Sequence, residues 1–153
     1  MGDEGVGVHA LRLLRERYSF PREVKLLDGG TMGLDLLVYL EGAKRLLILD
    51  ALRQGAAPGT VTVLQDGQIP AALRAKLSVH QIGLDDVLFA MALRGKTPPE
   101  MCLVGVEPKA MGELCLELSP ELQAALPRML KETLRKLSQW GIEVRESVPG
   151  GTI

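Results

Sequence analysis

An α/β fold is the class that the sequence predicts, and three observations indicate it. Short apolar runs of strand length alternate with segments of helical periodicity, as in a largely parallel sheet flanked by helices. No repeat or low-complexity tract interrupts this order. The length of 153 residues corresponds to one domain, at roughly one domain per 100–200 residues. We therefore expect a single domain over residues 1–153, a three-layer sandwich with a twisted, mostly parallel sheet and helices on both faces.

The predicted helices combine apolar residues at i, i+3 and i+4 spacing with residues that favour helix ends. Thr31 is a candidate N-cap for the second helix, and Gly42 suits the position after its end. In the last helix, Ser119 is a candidate N-cap and Pro127 predicts a kink or a division. Gly141 follows its end. Helices are expected at residues 6–18, 31–40, 84–93 and 119–140.

Strands are expected at residues 24–27, 46–49, 60–64 and 101–106. Residues 46–49 are consecutive aliphatic residues, which is typical of a central strand covered on both faces. Residues 60–64 follow without an intervening helix, and a parallel connection needs a crossover of about a dozen residues or more. We therefore expect the strand at 60–64 to be antiparallel to its neighbour.

Composition excludes several classes of function. The 18 basic and 19 acidic residues give a formal net charge of −1, unlike a basic nucleic-acid module, and 3% aromatic residues do not make a base-stacking surface. No apolar run approaches the ~20 residues of a membrane-spanning helix. Cys102 and Cys115 lie among aliphatic residues and are expected to be buried free thiols. Without a signal-peptide pattern, we expect a cytoplasmic protein with no nucleic-acid partner and no membrane segment.

Candidate functional residues are the acids at which predicted strands end: Asp28, Asp50 and Glu107. In α/β sheets, ligands bind outside the carboxyl ends of the strands. A structural role is equally open for each acid, as a helix cap or a turn residue. Asp3 and Glu4 have a similar alternative, in which Asp3 caps the first helix and Glu4 stabilises its first turn.

The histidines are His9, beside the apolar stripe of the first helix, and His80, in a polar segment before a predicted helix. An imidazole with nearby carboxylates forms a site that suits nickel or zinc better than magnesium or calcium. The sequence contains no metalloprotease HExxH motif and no GxSxG nucleophile motif. The glycines near the N-terminus do not form a phosphate-binding loop. The residues alone thus predict a carboxylate-rich crevice with one histidine.

Five segments, in this order, resemble the hydrogenase maturation endopeptidase family: DEGVGVH (3–9), DGGTMG (28–33), LILDA (47–51), SVHQIG (78–83) and VGVEP (104–108). The resemblance implies an endopeptidase that removes a C-terminal peptide from the large-subunit precursor of a nickel–iron hydrogenase. It also implies that Glu4, Asp50 and His80 are the catalytic and metal-binding residues, with Asp28 in a supporting role. Nickel would be supplied by the precursor and would act as the recognition element.

The chain departs from the family pattern at its start. Family members open with an apolar strand and a G-x-G-N loop before the DEG motif, whereas Asp3 here is the third residue. We therefore expect the family's first strand to be missing, through a late start or a truncation. Two other functions stay open: a non-cleaving, nickel-dependent binding or chaperone module for the same precursor, and a small-molecule hydrolase that uses the carboxylate rim.

Overall fold

The computed structural model describes residues 2–29, 32–74, 83–109 and 117–147. The helices are α1 (Val6–Arg17), α2 (Leu36–Leu40), α3 (Gln68–Arg74), α4 (Leu84–Leu93) and α5 (Pro120–Gln139). Short 3₁₀ turns over Gly2–Gly5 and Gly33–Asp35 precede α1 and α2. The strands are β1 (Tyr18–Ser19), β2 (Arg45–Ala51), β3 (Val61–Gln65), β4 (Glu100–Val106) and β5 (Arg145–Glu146).

The main sheet has the strand order β2-β4-β3. Strand β2 runs parallel to β4, in a register that pairs Asp50 with Gly105, and β3 runs antiparallel to β4. The predicted antiparallel orientation of the strand at 60–64 is confirmed. A separate antiparallel pair, β1 with β5, joins the end of α1 to the segment after α5.

Successive side chains of β4 point to opposite faces of the sheet and divide the core into two layers. Cys102, Val104 and Val106 face α1 and α5, whereas Met101 and Leu103 face α2, α3 and α4. All of these side chains are buried. Helices therefore cover both faces of the sheet, which confirms the predicted three-layer α/β architecture. Burial also raises the pKa of the Cys102 thiol, as expected of an unreactive core cysteine, while Cys115 lies outside the described residues.

Helix α1 approaches β2 closely because its first turn contains Gly7. A Cβ atom built on Gly7 would lie 2.1 Å from the carbonyl oxygen of Leu49 and 3.4 Å from the Cα atom of Asp50. Any side chain larger than hydrogen would therefore push the helix away from the strand. This contact fixes the start of α1 beside the carboxyl end of β2.

Helix α5 begins as the sequence predicts. The Ser119 side chain accepts a hydrogen bond from the Leu122 N–H at 3.4 Å, and Pro120 takes the first helical position. Pro127 does not divide the helix, which is continuous from Pro120 to Gln139. Gly42 after α2 and Gly141 after α5 both adopt positive φ, at 85° and 77°, as residues after a helix end often do.

One strand prediction is wrong, and a second is wrong only in the position of the strand in the sheet. Residues 24–27 form no strand, because no described strand lies beside them to complete a ladder, and the Leu26 carbonyl accepts a hydrogen bond from Arg15 Nη2 instead, at 2.6 Å. Residues 46–49 belong to β2, which is covered on both faces but lies at one edge of the described sheet. The central strand is β4.

Helix α3 was missed by the sequence prediction, and α2 is shorter than the expected helix over residues 31–40. Thr31, its expected cap, lies outside the described residues. In the part of the chain that the structure describes, no helix is long and apolar enough to cross a membrane.

The contact at Gly7 predicts that Gly7→Ala lowers the free energy of unfolding by about 1–3 kcal/mol, because the added methyl group would overlap the Leu49 carbonyl. Gly67→Ala is the matched control, since a Cβ there meets no atom within 4 Å and Gly67 does not adopt positive φ. Urea denaturation followed by circular dichroism measures both. Equal stability of the two variants would contradict the packing argument.

Candidate active site

Glu4 reaches the end of the sheet from the 3₁₀ turn before α1. Its Oε2 atom accepts a hydrogen bond from Arg53 Nη2 at 2.9 Å, and Arg53 lies in the loop that follows β2. The Glu4 side chain is 36% exposed. The acid of the DEG motif therefore lies at the carboxyl end of β2, partly open to solvent.

Asp50 lies at the same end, as the penultimate residue of β2. Its side chain is half-buried, and Oδ1 accepts a hydrogen bond from the Ala51 N–H at 2.8 Å. The neighbouring position on β4 is Gly105, which presents no side chain beside it. Since Gly7 packs against Leu49 and Asp50, the turn that carries Glu4 adjoins this strand end. Glu4 and Asp50 thus share one rim of the sheet.

The other two predicted site residues are less fully described. Asp28 is exposed, and the adjoining Gly29 packs against the Leu36 side chain at the start of α2. His80 lies outside the described residues. Within the described ranges, no group of three histidine, cysteine, aspartate or glutamate side chains is arranged to hold a metal ion. The complete predicted trio is therefore untested, and only its two carboxylates can be located.

Asp3 is the residue whose role the sequence does not reveal. It is buried, and its carboxylate accepts hydrogen bonds from the Lys109 N–H (2.8 Å), the Ser119 N–H (2.7 Å) and the Ser119 hydroxyl (2.9 Å). The expected capping role is wrong, because the N-cap of α1 is Gly5, which has no side-chain hydrogen bond. Asp3 instead fastens the turn that carries Glu4 to the segment after β4 and to the start of α5.

The ionisation of Asp3 reflects opposing effects. Burial raises the pKa of its carboxyl, but the hydrogen bonds from Ser119 and Lys109, with the Lys109 charge, together hold that pKa below its ordinary value. The charged form is therefore the one that the fold stabilises. Two acids adjacent in sequence thus differ in environment, because Asp3 is enclosed by donors and Glu4 faces a cation at the surface.

Glu107, the third predicted strand-end acid, is also buried and organises a turn. Its Oε1 atom accepts hydrogen bonds from the Gln54 N–H (2.7 Å) and the Ala56 N–H (3.2 Å). Its backbone carbonyl accepts a third from the Gly59 N–H at 2.8 Å. Of the two interpretations that the sequence left open, the structural one is correct. Glu107 holds the loop between β2 and β3, which carries Arg53.

Comparison with known proteins adds a further observation. A family model described as hydrogenase maturation protease matches residues 8–136. The chain belongs to the hydrogenase maturation protease family. The resemblance inferred from the five sequence segments is therefore confirmed, and with it an endopeptidase role in hydrogenase maturation.

Individual relatives agree with this family assignment. The chain is 39% identical to the hydrogenase expression/formation protein HupD of Rhodobacter capsulatus, over 99% of this chain and 71% of that protein. It is 38% identical to the hydrogenase 2 maturation protease of Escherichia coli, over 95% and 90% of the two chains.

The fold is similar to solved structures of the same family. The hydrogenase maturating endopeptidase HybD from Escherichia coli superposes with a TM-score of 0.88 at 37% identity, covering 95% of this chain and 90% of that one. The [NiFe] hydrogenase maturation protease HybD from Thermococcus kodakarensis gives a TM-score of 0.67 at 26% identity, covering 88% and 90%. These likenesses agree with the layered α/β architecture of this family member.

The environment of Asp3 predicts that Asp3→Asn lowers the free energy of unfolding by about 1–3 kcal/mol at neutral pH, since an amide group meets hydrogen-bond donors where a carboxylate did. A carboxyl with a lowered folded-state pKa stabilises the fold above its unfolded pKa, and this contribution is lost as pH falls through the folded pKa. The difference between wild type and variant should therefore shrink below about pH 4.

Urea denaturation at a series of pH values measures this difference. Asp35→Asn is the matched control, because Asp35 is exposed and makes no capping hydrogen bond to α2. We expect it to change stability by less than about 0.5 kcal/mol. A penalty for Asp3→Asn that stays constant down to pH 3 would contradict the assigned charge state.

Proposed function

We propose that this protein removes the C-terminal peptide from a nickel-loaded large-subunit precursor of a nickel–iron hydrogenase. Nickel arrives with the precursor and serves as the recognition element. Glu4, Asp50 and His80 contact it, and Asp28 supports the site. The observation that carries this proposal is that Glu4 and Asp50 share one rim of the sheet. Glu4 Oε2 lies 2.9 Å from Arg53 Nη2 in the loop after β2, and Asp50 lies at the end of the same strand.

The chemistry of the donors agrees with nickel as part of the substrate. Carboxylate oxygens and an imidazole nitrogen form a set of borderline hardness, which suits nickel or zinc. The two carboxylates are half-buried or partly exposed rather than enclosed, so an ion carried by another protein has access to them. A buried carboxylate surrounded by donors, such as Asp3, has no comparable capacity for a new ligand.

The reaction proposed here is hydrolysis of one peptide bond. Glu4, Asp50 and His80 complete the coordination of the precursor's nickel and hold the scissile segment beside it. A water molecule, polarised by the ion or by an adjoining carboxylate, adds to the peptide carbonyl carbon. The C–N bond then breaks, and a proton passes to the departing amine nitrogen.

The small-molecule alternative lacks a comparable observation. Two cavities of about 390 and 300 Å³ lie in the described part of the chain. One adjoins the amino ends of β2 and β4 and includes Lys44 and Pro99; the other lies between the segments of Tyr18 and Ile142. Neither includes Glu4 or Asp50. The partial exposure of Glu4 and Asp50 suits a protein substrate better than a small ligand, which proteins usually enclose in a pocket.

The proposed function predicts cleavage of nickel-loaded precursor and no cleavage of the same precursor without nickel. Loss of the C-terminal peptide, followed by intact-protein mass spectrometry, measures both reactions. Equal cleavage of the two precursors would contradict the role of nickel. Nickel-dependent binding without cleavage would instead support the non-cleaving module, and turnover of a small ester or amide alone would support the small-molecule hydrolase.

The assigned residues predict that Glu4→Gln, Asp50→Asn and His80→Ala each lower the rate of processing by about 100-fold or more, because each removes a group that contacts the reacting region. Circular dichroism should show an intact fold. Asp28→Asn should have a smaller effect. Glu41→Gln is the matched control, since it removes a similarly exposed acid that lies before β2 and forms ion pairs with Arg94 (2.8 Å) and Lys96 (3.0 Å). Normal processing by one of the three variants would remove that residue from the site.

A further inference from the structure

Arg53 forms an ion pair with Glu4, one of the candidate site acids. Its Nη2 atom donates to Glu4 Oε2 at 2.9 Å, with the two side chains 44% and 36% exposed. Exposed ion pairs of this kind usually contribute little to stability. We therefore consider another role for this pair, namely that Arg53 places a positive charge beside the candidate site.

Both partners of the ion pair are attached to well-fixed backbone. On the Arg53 side, the Leu52 N–H donates to the Val106 carbonyl at 2.9 Å and the Gln54 N–H donates to Glu107 Oε1 at 2.7 Å. On the Glu4 side, the adjoining Asp3 is held by three hydrogen bonds. The residues on either side of the contact are thus anchored to the end of β4 and to the start of α5, and the contact with Glu4 places the guanidinium at the rim.

We propose that Arg53 is a specificity residue that keeps free divalent metal ions off the rim. The positive charge of the guanidinium beside Glu4 repels a dication and competes with it for the carboxylate. A free ion has only its coordination to offset that repulsion. Nickel held in a precursor arrives with the binding energy of a whole protein surface, so it can displace the guanidinium from Glu4. The inference rests on the proposed function and adds a reason why the site binds nickel only when the precursor carries it.

The test measures binding of nickel chloride to the untagged protein by isothermal titration calorimetry, without precursor. We expect Arg53→Gln to bind nickel about three- to tenfold more tightly than wild type, since it removes the repelling charge. Arg53→Lys keeps the charge and should stay within about twofold of wild type. Arg94→Gln makes the same change in net charge in a comparable ion pair, at 2.8 Å from Glu41, and should also match wild type.

A double variant identifies where the additional affinity arises. In Glu4→Gln combined with Arg53→Gln, the gain should disappear, because the carboxylate released by the first change is itself removed. Circular dichroism establishes that each variant is folded. Equal or undetectable binding in wild type and Arg53→Gln overturns the inference, as does an equal gain in Arg94→Gln or in Arg53→Lys, or a gain that survives in the double variant.

The outcome is separable from that of the proposed function. If wild type fails to cleave nickel-loaded precursor, the proposed function is wrong, whatever the titration shows. If wild type cleaves but Arg53→Gln binds nickel no more tightly, only the role of Arg53 is wrong.

Discussion

The approach of Gly7 to the backbone of Leu49 is the constraint on which the candidate site depends. It lets the axis of α1 lie close to β2, with Val6 and Ala10 fully buried on either side of the glycine. The turn before α1 is thereby brought to the carboxyl end of the strand, and Glu4 with it. A larger residue at this position would push α1 away from β2, and the turn would lie farther from Asp50. The backbone contact between Gly7 and Leu49 thus helps to set the separation of Glu4 and Asp50 at the surface.

Burial separates the acids at this end of the sheet into two groups. Asp3 and Glu107 are buried, and each accepts hydrogen bonds from at least two backbone N–H groups, which offset the cost of removing a carboxylate from water. Glu4 and Asp50 keep partial exposure. The first group holds the turns in position, and the second is accessible to a partner. Rigid support beside accessible carboxylates agrees with the metal-recognising site that we propose.

The elements that could be predicted from the sequence are those with a strong internal pattern. Apolar periodicity gave α4 its observed bounds, and the strand at 101–106 is wholly buried, so its apolar run was unambiguous. The prediction of a strand at 24–27 is wrong because a strand forms only with a hydrogen-bonded neighbour. A local sequence pattern does not show whether such a neighbour exists. Adjacent Asp3 and Glu4 could not be distinguished by residue type, since the donors that bury Asp3 come from residues more than a hundred positions away.

Strand β4 contributes none of the proposed site residues, yet both halves of the rim depend on it. The loop with Arg53 is held by the Val106 carbonyl and the Glu107 carboxylate, and the turn with Glu4 is held through Asp3 by Lys109 and the start of α5. Val106, Glu107 and Lys109, which contribute to both anchors, thus lie within four residues at the carboxyl end of β4. The sequence neighbours of Glu4 and of Arg53 are thus bonded to this segment by separate hydrogen bonds. The position of the ion pair between Glu4 and Arg53 therefore depends on the end of β4, a strand to which neither residue belongs.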